Sequence, residues 1–318
     1  MSQKPVIVVV TATGAQGRSV CEAFRASGCW RVRALTRDAS GPVARRYADE
    51  GIEVVQANFE NKEDLIRAFR GALLAFGCTI PPWHQAYSNT LSEYDQGVLQ
   101  VDAAKVAGVA LFFWSTLPYV GPEFGGLGGV ELYDSKAKIN DYIVSVGLPA
   151  VFIGTPAFID NVMSWPLIRR SNDGMSLETW NHVVGEENPV AFLWVEHDLG
   201  PAVLALASHF CDSGIPFSQN PLNHTLQPLA SWRGSWGAVS RCIGQLTGIS
   251  TSHTVMPNVN ERWNPDLTKA FIYQNTHGLY PHEEFPPRLL IDLRVKFGTL
   301  EEYVQQKVVP FFPENVNV

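Results

Sequence analysis

The stretch VIVVVTATGAQGRSV, residues 6–20, sets five consecutive apolar residues directly before a segment of small residues. The apolar run has the length of a buried strand, and residues 18–26 have the spacing of a helix. Between them, Thr11, Gly14 and Gly17 occupy the anchor positions of a G-x-x-G-x-x-G spacing, with threonine in place of the first glycine. A strand, a tight turn and a helix in this order predict a loop that binds a dinucleotide pyrophosphate.

Each anchor of such a loop has a physical task. Gly14 allows the phosphates to approach the backbone, and Gly17 allows the helix to pack closely against the strand. Thr11 fits the pattern if its backbone keeps a negative φ, because a β-branched residue tolerates a positive φ poorly. The alternative is an ordinary glycine-containing turn between a strand and a helix.

Apolar runs and amphipathic segments alternate through the first half of the chain. Strands are predicted at residues 6–10, 31–35, 53–56, 73–79, 110–114 and 150–153, and helices at 18–26, 62–69, 97–107 and 137–146. This alternation is typical of βαβ units and predicts a doubly wound α/β fold with a mostly parallel sheet. The alternation weakens later, so we expect a nucleotide-binding domain over residues 1–156 and a smaller α+β substrate lobe over residues 157–318. Strands from the second half remain allowed in the sheet.

The composition excludes several classes of protein. With 46% hydrophobic and 17% charged residues, the 318-residue chain suits a packed core rather than a disordered segment. A net charge of -7 without a Lys/Arg cluster argues against nucleic-acid binding. No apolar run has membrane length. We therefore expect a cytoplasmic protein, without a metal site, whose scattered cysteines are reduced: Cys21, Cys29, Cys78, Cys211 and Cys242.

The end of the second predicted strand bears on the choice of nucleotide. NAD-specific proteins place Asp or Glu there to bind the ribose hydroxyls. This chain reads Thr36-Arg37, and a guanidinium can bind a 2′-phosphate through two hydrogen bonds. The residues therefore favour NADP(H). Asp38, one position later, keeps NAD(H) as an alternative cofactor. For Arg37, the alternative is a solvated surface cation that binds no ligand.

Several segments, taken in order, resemble the NmrA-like group, atypical members of the extended short-chain dehydrogenase superfamily. They are TATGAQGRSV (11–20), VRALTRD (32–38), VVQANFENKEDL (54–65), AAKVAGVALFFWSTLP (103–118), YDSKAKINDYIVSVGLPAVFIGTPAFIDN (133–161) and VKFGTLEEYVQQ (295–306). The resemblance spans nearly the whole chain. It implies an NAD(P)-binding Rossmann fold of six or more strands with a small C-terminal lobe.

The resemblance also implies positions for the cofactor contacts. The phosphates would lie at the loop, the 2′-phosphate at Arg37, the adenine after the third strand and the nicotinamide beside the fourth strand and residues 155–161. The implied residues are Thr11, Thr13, Gly14, Ala15, Gln16, Gly17, Thr36, Arg37, Asn58, Phe59, Thr79, Ile80, Lys136, Thr155 and Phe158.

The motif that would supply the proton is incomplete in this sequence. Typical short-chain dehydrogenases carry Tyr-x-x-x-Lys, in which tyrosine is the general acid and lysine holds the ribose. If Lys136 is that lysine, Leu132 stands at the tyrosine position and Tyr133 is one residue out of register. Tyr133 shares a face with Lys136 if the helix begins early, and a packed aromatic is its alternative. Some relatives of the group use the lysine itself as the acid, whereas a ribose contact alone is the other role for Lys136.

Further polar and aromatic residues are candidates for substrate contacts. Ser115, at the end of the fifth strand, is a candidate for orienting a substrate carbonyl; an ordinary turn after the strand is the alternative. Abundant tryptophan would favour a flat, apolar ligand if these side chains line a pocket rather than pack in the core. The candidate substrate contacts are Trp83, His84, Thr116, Tyr119 and Asn161.

Two functions follow from these expectations. The first is an NADPH-dependent reductase that transfers hydride to a C=O, C=C or C=N group of a small aromatic, quinone-like or secondary-metabolite substrate. The second is a non-catalytic NADP(H)-binding redox sensor that regulates a protein partner, which the missing tyrosine favours. The proton donor discriminates between them, and both leave the oligomeric state open.

Overall fold

The computed structural model describes residues 4–81, 91–124, 128–257 and 265–312. The chain forms two compact units. Unit 1 comprises Met1–Thr155, Leu199–Pro228 and Leu289–Val295, and unit 2 comprises Pro156–Asp198, Leu229–Arg288 and Lys296–Val318. The chain thus leaves unit 1 beside the predicted boundary at residue 156 and returns to it over Leu199–Pro228 and Leu289–Val295.

The elements follow in chain order. They are β1 (Val6–Val9), α1 (Ala15–Ser27), β2 (Arg31–Thr36), α2 (Pro42–Asp49), β3 (Glu53–Gln56), α3 (Lys62–Phe69), β4 (Leu74–Gly77), α4 (Glu93–Ala107), β5 (Leu111–Thr116), α5 (Glu131–Val146), β6 (Ala150–Gly154), β7 (Ala157–Phe158), α6 (Asn161–Ser164), β8 (Ile168–Arg170), β9 (Leu177–His182), β10 (Val190–Leu193), α7 (Gly200–Asp212), β11 (Leu226–Pro228), β12 (Trp232–Gly234), α8 (Trp236–Thr247), β13 (Thr251–Met256), α9 (Pro265–His277), α10 (Arg288–Asp292) and α11 (Leu300–Tyr303). None of the helices among the described residues is both long and apolar enough to cross a bilayer.

Unit 1 is built on a seven-stranded sheet in the order β11-β6-β5-β4-β1-β2-β3. Every neighbouring pair is parallel. Strands such as β1 and β4 are apolar throughout because helices cover both faces of the sheet, and all their residues are buried. The predicted doubly wound α/β fold is confirmed.

The strand order reverses at β1, which lies between β2 and β4. Open parallel sheets bind ligands outside the carboxyl ends of the strands at such a switch point. The topology therefore brings to one edge the residues that directly follow β1 and β4, which are residues 10–14 and 78–80.

Three helices of unit 1 begin earlier than the apolar spacing predicts, and α1 begins at Ala15 rather than at residue 18. Helix α4 begins at Glu93 rather than at residue 97, and α5 begins at Glu131 rather than at residue 137. The first turns carry polar residues whose side chains do not follow the apolar stripe, so periodicity alone misses them. The Ser92 hydroxyl caps α4 by accepting the Asp95 N–H at 3.1 Å.

Unit 2 contains two small three-stranded sheets, ordered β12-β10-β7 and β13-β9-β8. Its core combines aliphatic and aromatic side chains, and Phe192 packs edge-on against Trp236 with ring centroids 5.1 Å apart. Trp194 is 1% exposed in this core, and Trp114 is fully buried in unit 1. Core packing therefore accounts for both tryptophans, which leaves neither ring to line a substrate pocket.

Candidate functional site

The loop after β1 keeps its anchor residues but not the expected backbone. Thr11 has a φ of 52°, so the expectation of a negative φ is wrong. Its hydroxyl lies 2.7 Å from the Sγ atom of Cys78, which follows β4, and its carbonyl accepts the Gly14 N–H at 2.9 Å. These contacts hold a β-branched residue in a region that glycine usually occupies. Burial raises the pKa of the Cys78 thiol, so this partner is a neutral thiol.

The two glycines of the loop have different packing constraints. A Cβ atom at Gly17 would lie 2.7 Å from the Ala12 Cα atom, whereas one at Gly14 would meet only the Thr11 carbonyl oxygen, at 3.3 Å. Gly17 is therefore required where α1 crosses the turn, because real Cβ atoms do not approach so closely. Gly14 is exposed and leaves room for a ligand on its outer side.

The N-terminus of α1 can hold an anion. Gly14 is its N-cap and supplies no capping side chain, and the first turn contains no acidic residue. The first N–H groups of a helix lack intrahelical partners, and the helix dipole favours a negative charge there. The buried Gln16 Oε1 atom also has no partner among the described residues. Thr13 is half-buried and Ala15 is exposed, so the predicted phosphate loop is accessible.

Arg37, at the end of β2, lies over an aromatic ring. Its guanidinium carbon is 5.7 Å from the centroid of the Phe59 ring, which is itself buried. The neighbouring Asp38 carboxylate accepts the Ser40 N–H at 2.8 Å and the Ser40 hydroxyl at 2.5 Å. These bonds lower the pKa of Asp38 and commit its carboxylate to the turn before α2. A guanidinium is thus the charge that β2 presents at this edge. The Thr36 hydroxyl accepts the Asp38 N–H at 3.2 Å, and Thr36 is buried.

The loop after β3 has a fixed shape. The Asn58 side chain accepts the Glu60 N–H at 3.0 Å, and the Asn58 N–H donates to Asp64 at 3.1 Å. Asn58 is exposed beside the buried Phe59. The adenine contacts predicted for these two residues stay predictions.

Lys136 forms the most distinctive arrangement of unit 1. Its ammonium donates to the Glu93 carboxylate and to the Thr79 hydroxyl, each at 2.6 Å. The Thr79 hydroxyl in turn donates to the same Glu93 oxygen at 2.6 Å. The side chain of Lys136 is 11% exposed and that of Glu93 is 3% exposed. A buried charge requires such a partner, and here a lysine, a carboxylate and a hydroxyl satisfy one another.

The helix that carries Lys136 is anchored at its backbone. The Lys136 carbonyl accepts the Trp114 indole N–H at 3.1 Å and the Thr116 hydroxyl at 3.2 Å. Two residues earlier, the Asp134 carboxylate accepts the Val120 N–H at 2.7 Å and so ties α5 to the loop after β5. Thr116 has no exposed surface, so its hydroxyl serves the fold; its predicted role in substrate binding stays untested.

The remaining candidates in unit 1 differ in exposure. Because α5 begins at Glu131, Tyr133 is helical and lies one turn before Lys136; it is 2% exposed. Ser115 is 1% exposed, whereas Tyr119 is 58% exposed on the loop after β5. The structure therefore places Tyr133 and Ser115 in the interior, and their predicted catalytic roles stay predictions.

Other predicted contacts lie elsewhere in the chain. Thr155 belongs to unit 1, where its N–H donates to the Thr116 carbonyl at 3.1 Å. Phe158 and Asn161 are half-buried residues of unit 2. Trp83 and His84 lie outside the described residues. The Gln96 side chain binds the backbone of Ile80, since it accepts the Ile80 N–H at 3.2 Å and donates to the Ile80 carbonyl at 3.0 Å.

Three residues of this edge were not predicted as site residues: Cys78, Glu93 and Gln96. A signal for Glu93 exists in the sequence, because Ser92 followed three residues later by Asp95 is a helix-start pattern that places Glu93 in the first turn. The contacts of Cys78 and Gln96 are set by tertiary packing. Among the described residues, no group of three or more His, Cys, Asp or Glu side chains is arranged to hold a metal ion.

Comparisons with known proteins point to one family. A model of the NmrA-like family matches residues 3–304 of the chain. Among curated proteins, the chain is similar to the NmrA-like family domain-containing oxidoreductase FrzB of Cladobotryum sp, with 36% identity over 145 residues. That match takes in 45% of this chain and 43% of the relative, so the chain spans less than half of the relative's length.

Solved structures share the fold over nearly the whole chain. The structure of NmrA, a negative transcriptional regulator, in complex with NADP has a TM-score of 0.77 at 23% identity, covering 100% of this chain and 99% of that one. The Citrobacter sp. triphenylmethane reductase complexed with NADP(H) has a TM-score of 0.68 at 18% identity, with 95% and 99% covered. At these identities the likeness shows the fold alone.

Proposed function

The chain belongs to the NmrA-like family, whose model matches residues 3–304, and from this premise we propose that it is an NADPH-dependent reductase. The proposed substrate is a small aromatic, quinone-like or secondary-metabolite compound with a C=O, C=C or C=N group. The observation that carries the proposal is the buried lysine of unit 1, since Lys136 lies beside the ends of β4 and β5 with a carboxylate and a hydroxyl as partners.

The phosphate loop and Arg37 fit NADP(H). The uncapped N-terminus of α1 would hold the pyrophosphate through its free N–H groups. The Arg37 guanidinium, supported from below by Phe59, would bind the 2′-phosphate. The Asp38 Oδ1 atom accepts both hydrogen bonds from Ser40, which holds the carboxylate at the turn before α2 and favours Arg37 over Asp38 as the residue that contacts the 2′ position.

In the proposed reaction, the residues of this chain supply the proton. NADPH, when bound, supplies the hydride. Lys136 would bind the ribose hydroxyls and deliver a proton to the heteroatom, or the second carbon, of the acceptor bond. Leu132 stands where a catalytic tyrosine is usual and Tyr133 is one residue out of register, so we assign proton delivery to Lys136.

Turnover measurements test this function directly. NADPH oxidation would be followed in steady state against quinones, enones, imines and aromatic aldehydes, with NADH as the cofactor control. Lys136→Met should abolish most of the turnover, whereas Lys138→Met, an exposed lysine on the same helix, should leave it unchanged. If no acceptor supports oxidation by the wild-type protein, or if Lys136→Met retains full turnover, the reductase proposal fails.

A second candidate function is a sensor that binds NADP(H) without turnover. Leu132 favours it, because the usual general acid is absent. The structural likeness to NmrA, described as a negative transcriptional regulator, supports the same alternative. Submicromolar binding of NADP(H) together with no oxidation across the panel would favour the sensor over the reductase.

A further inference from the structure

Glu93 is a buried carboxylate at the start of a helix, and its surroundings are unusual for such a position. It is the first residue of α4 and is only 4% exposed, whereas acidic residues in a first turn are normally solvated. Its Oε1 atom accepts hydrogen bonds from Lys136 and Thr79, both at 2.6 Å. Three elements therefore meet in one polar cluster: the end of β4, the start of α4 and the first turns of α5.

The hydrogens of this cluster can be assigned. Thr79 has a single hydroxyl hydrogen, which it donates to Glu93, so it offers Lys136 only an acceptor lone pair. The ammonium carries three N–H groups, and Glu93 and Thr79 engage two of them. Among the described residues, no hydrogen bond is recorded for the third. Glu93 and Thr79 together thus fix the direction in which the remaining N–H points.

The charge of Glu93 has a second consequence. A lysine buried alone would favour its neutral form, because burial disfavours the charged one. An opposite charge in contact favours the ammonium instead. Glu93 therefore acts on Lys136 through its charge as well as through its hydrogen bond.

We propose that Glu93 is a positioning residue for proton delivery by Lys136. This inference rests on the proposed reductase function. As the hydride adds to the acceptor carbon, the π electron pair moves to the heteroatom and takes a proton from the ammonium. Lys136 becomes a neutral amine beside the Glu93 carboxylate, and a solvent proton restores the ammonium before the next turnover.

The pH profile of the variant Glu93→Gln tests this role, because glutamine keeps the size and the acceptor oxygen but removes the charge. The alkaline limb of the kcat profile should move to lower pH, because the ammonium loses the opposite charge beside it. KM for NADPH should change less than about threefold, since the lysine still reaches the ribose. Asp95→Asn, two residues along the same helix, is the matched control and should leave the profile in place. An unmoved alkaline limb in Glu93→Gln would overturn the proposal.

A spectroscopic measurement separates this inference from the reductase itself. In protein labelled with [ε-13C]lysine, the resonance missing from Lys136→Met identifies Lys136, and its pH titration needs no turnover. The resonance should titrate at lower pH in Glu93→Gln than in the wild type. If the wild-type protein reduces nothing but this shift is observed, the reductase fails and the pairing stands. Identical titrations would overturn the pairing.

A double variant that removes both charges keeps the proposal testable if Glu93→Gln alone does not fold. Should Glu93→Gln not fold, the double variant Glu93→Gln/Lys136→Met removes both charges, and it should recover the cooperative thermal transition because no unpaired charge remains buried. A double variant that is equally unfolded would overturn the proposal, because Glu93 would then serve the fold independently of Lys136.

Discussion

Gly17 lies so close to Thr11 that a Cβ atom at position 17 would stand 2.8 Å from the Thr11 carbonyl carbon. Only a hydrogen atom fits between the first turn of α1 and the loop after β1. This contact places the helix N-terminus beside the turn, which is the arrangement that a bound pyrophosphate requires. The glycine therefore matters for close packing rather than for backbone freedom.

Gly17→Ala should consequently displace the helix from the loop. We expect a loss of about 1–3 kcal/mol in the free energy of unfolding, typical of overpacking, together with at least a tenfold loss in NADPH affinity, on the order of 1.4 kcal/mol. Gly14→Ala is the matched control for stability alone, since its Cβ atom would meet only the Thr11 oxygen, at 3.3 Å, but would lie on the side that the phosphates are expected to approach. Urea unfolding and fluorescence titration measure both effects. Equal stability of the two variants would contradict this account of the packing.

The Thr11 hydroxyl and the Cys78 thiol form a second contact beneath the loop, at 2.7 Å. Thr11→Val keeps the β-branched shape and removes the hydroxyl, so the buried thiol loses its partner. The free energy of unfolding should fall by about 1 kcal/mol. Thr13→Val, in the half-exposed part of the same loop, should change it by less than about 0.5 kcal/mol. A Thr11→Val protein as stable as the wild type would show that the contact contributes nothing.

The contact between Thr11 and Cys78 could not be predicted from the local sequence. The spacing of the loop correctly predicted the strand, the turn and the helix, because these depend on local periodicity and on small residues. It did not predict the positive φ of Thr11, because the supporting thiol is 67 residues away in the sequence. A conformation that is unfavourable locally was stabilised by a tertiary partner.

Glu93 shows a related limit at the candidate site. Apolar periodicity predicted the body of α4 but not its first turn, where Glu93 lies, since residues at a helix start are chosen for capping and for local contacts. The family resemblance drew attention to Lys136 and to the missing tyrosine. The ion pair between Lys136 and Glu93 depends on tertiary packing, because it forms only where α4 and α5 lie beside each other with Thr79 between them.

Arg37 should decide the choice between the two nucleotides. Arg37→Ala removes the charge-assisted hydrogen bonds proposed for the 2′-phosphate, which together should contribute about 1.5–3 kcal/mol at this solvent-accessible edge. We expect NADP affinity to fall by about 10- to 100-fold while NAD affinity changes less than about threefold. Arg45→Ala, an exposed arginine of α2, serves as the control for net charge. Calorimetric titration with both nucleotides gives the ratio, and an unchanged preference in Arg37→Ala would exclude the assignment.

In unit 2, a histidine joins two parallel strands through both of its ring nitrogens. The Asn181 amide donates to the Val184 carbonyl at 2.7 Å, which leaves its oxygen to accept from His253 Nε2 at 2.8 Å. Nδ1 lies 2.9 Å from the Thr179 hydroxyl and is the acceptor nitrogen of the neutral ring. The Thr179 hydroxyl also lies 3.1 Å from the Ser252 carbonyl, a second acceptor for its hydrogen, so burial of the ring is what disfavours the doubly protonated form.

The pKa of His253 is lowered, because burial outweighs the opposing influence of Glu186 and Glu187. Below the unfolded value of about 6.5, the unfolded chain binds a proton that the folded chain does not, so stability should fall as the pH falls from about 6.5. Above that value both states are neutral and the effect vanishes. Urea unfolding followed by tryptophan fluorescence at about pH 7.5 and about pH 5.5 measures the slope. His253→Gln should reduce it, whereas His277→Gln, at an exposed position of α9, should preserve it. An equal slope in His253→Gln and the wild type would show that this ring does not link protonation to the folding of unit 2.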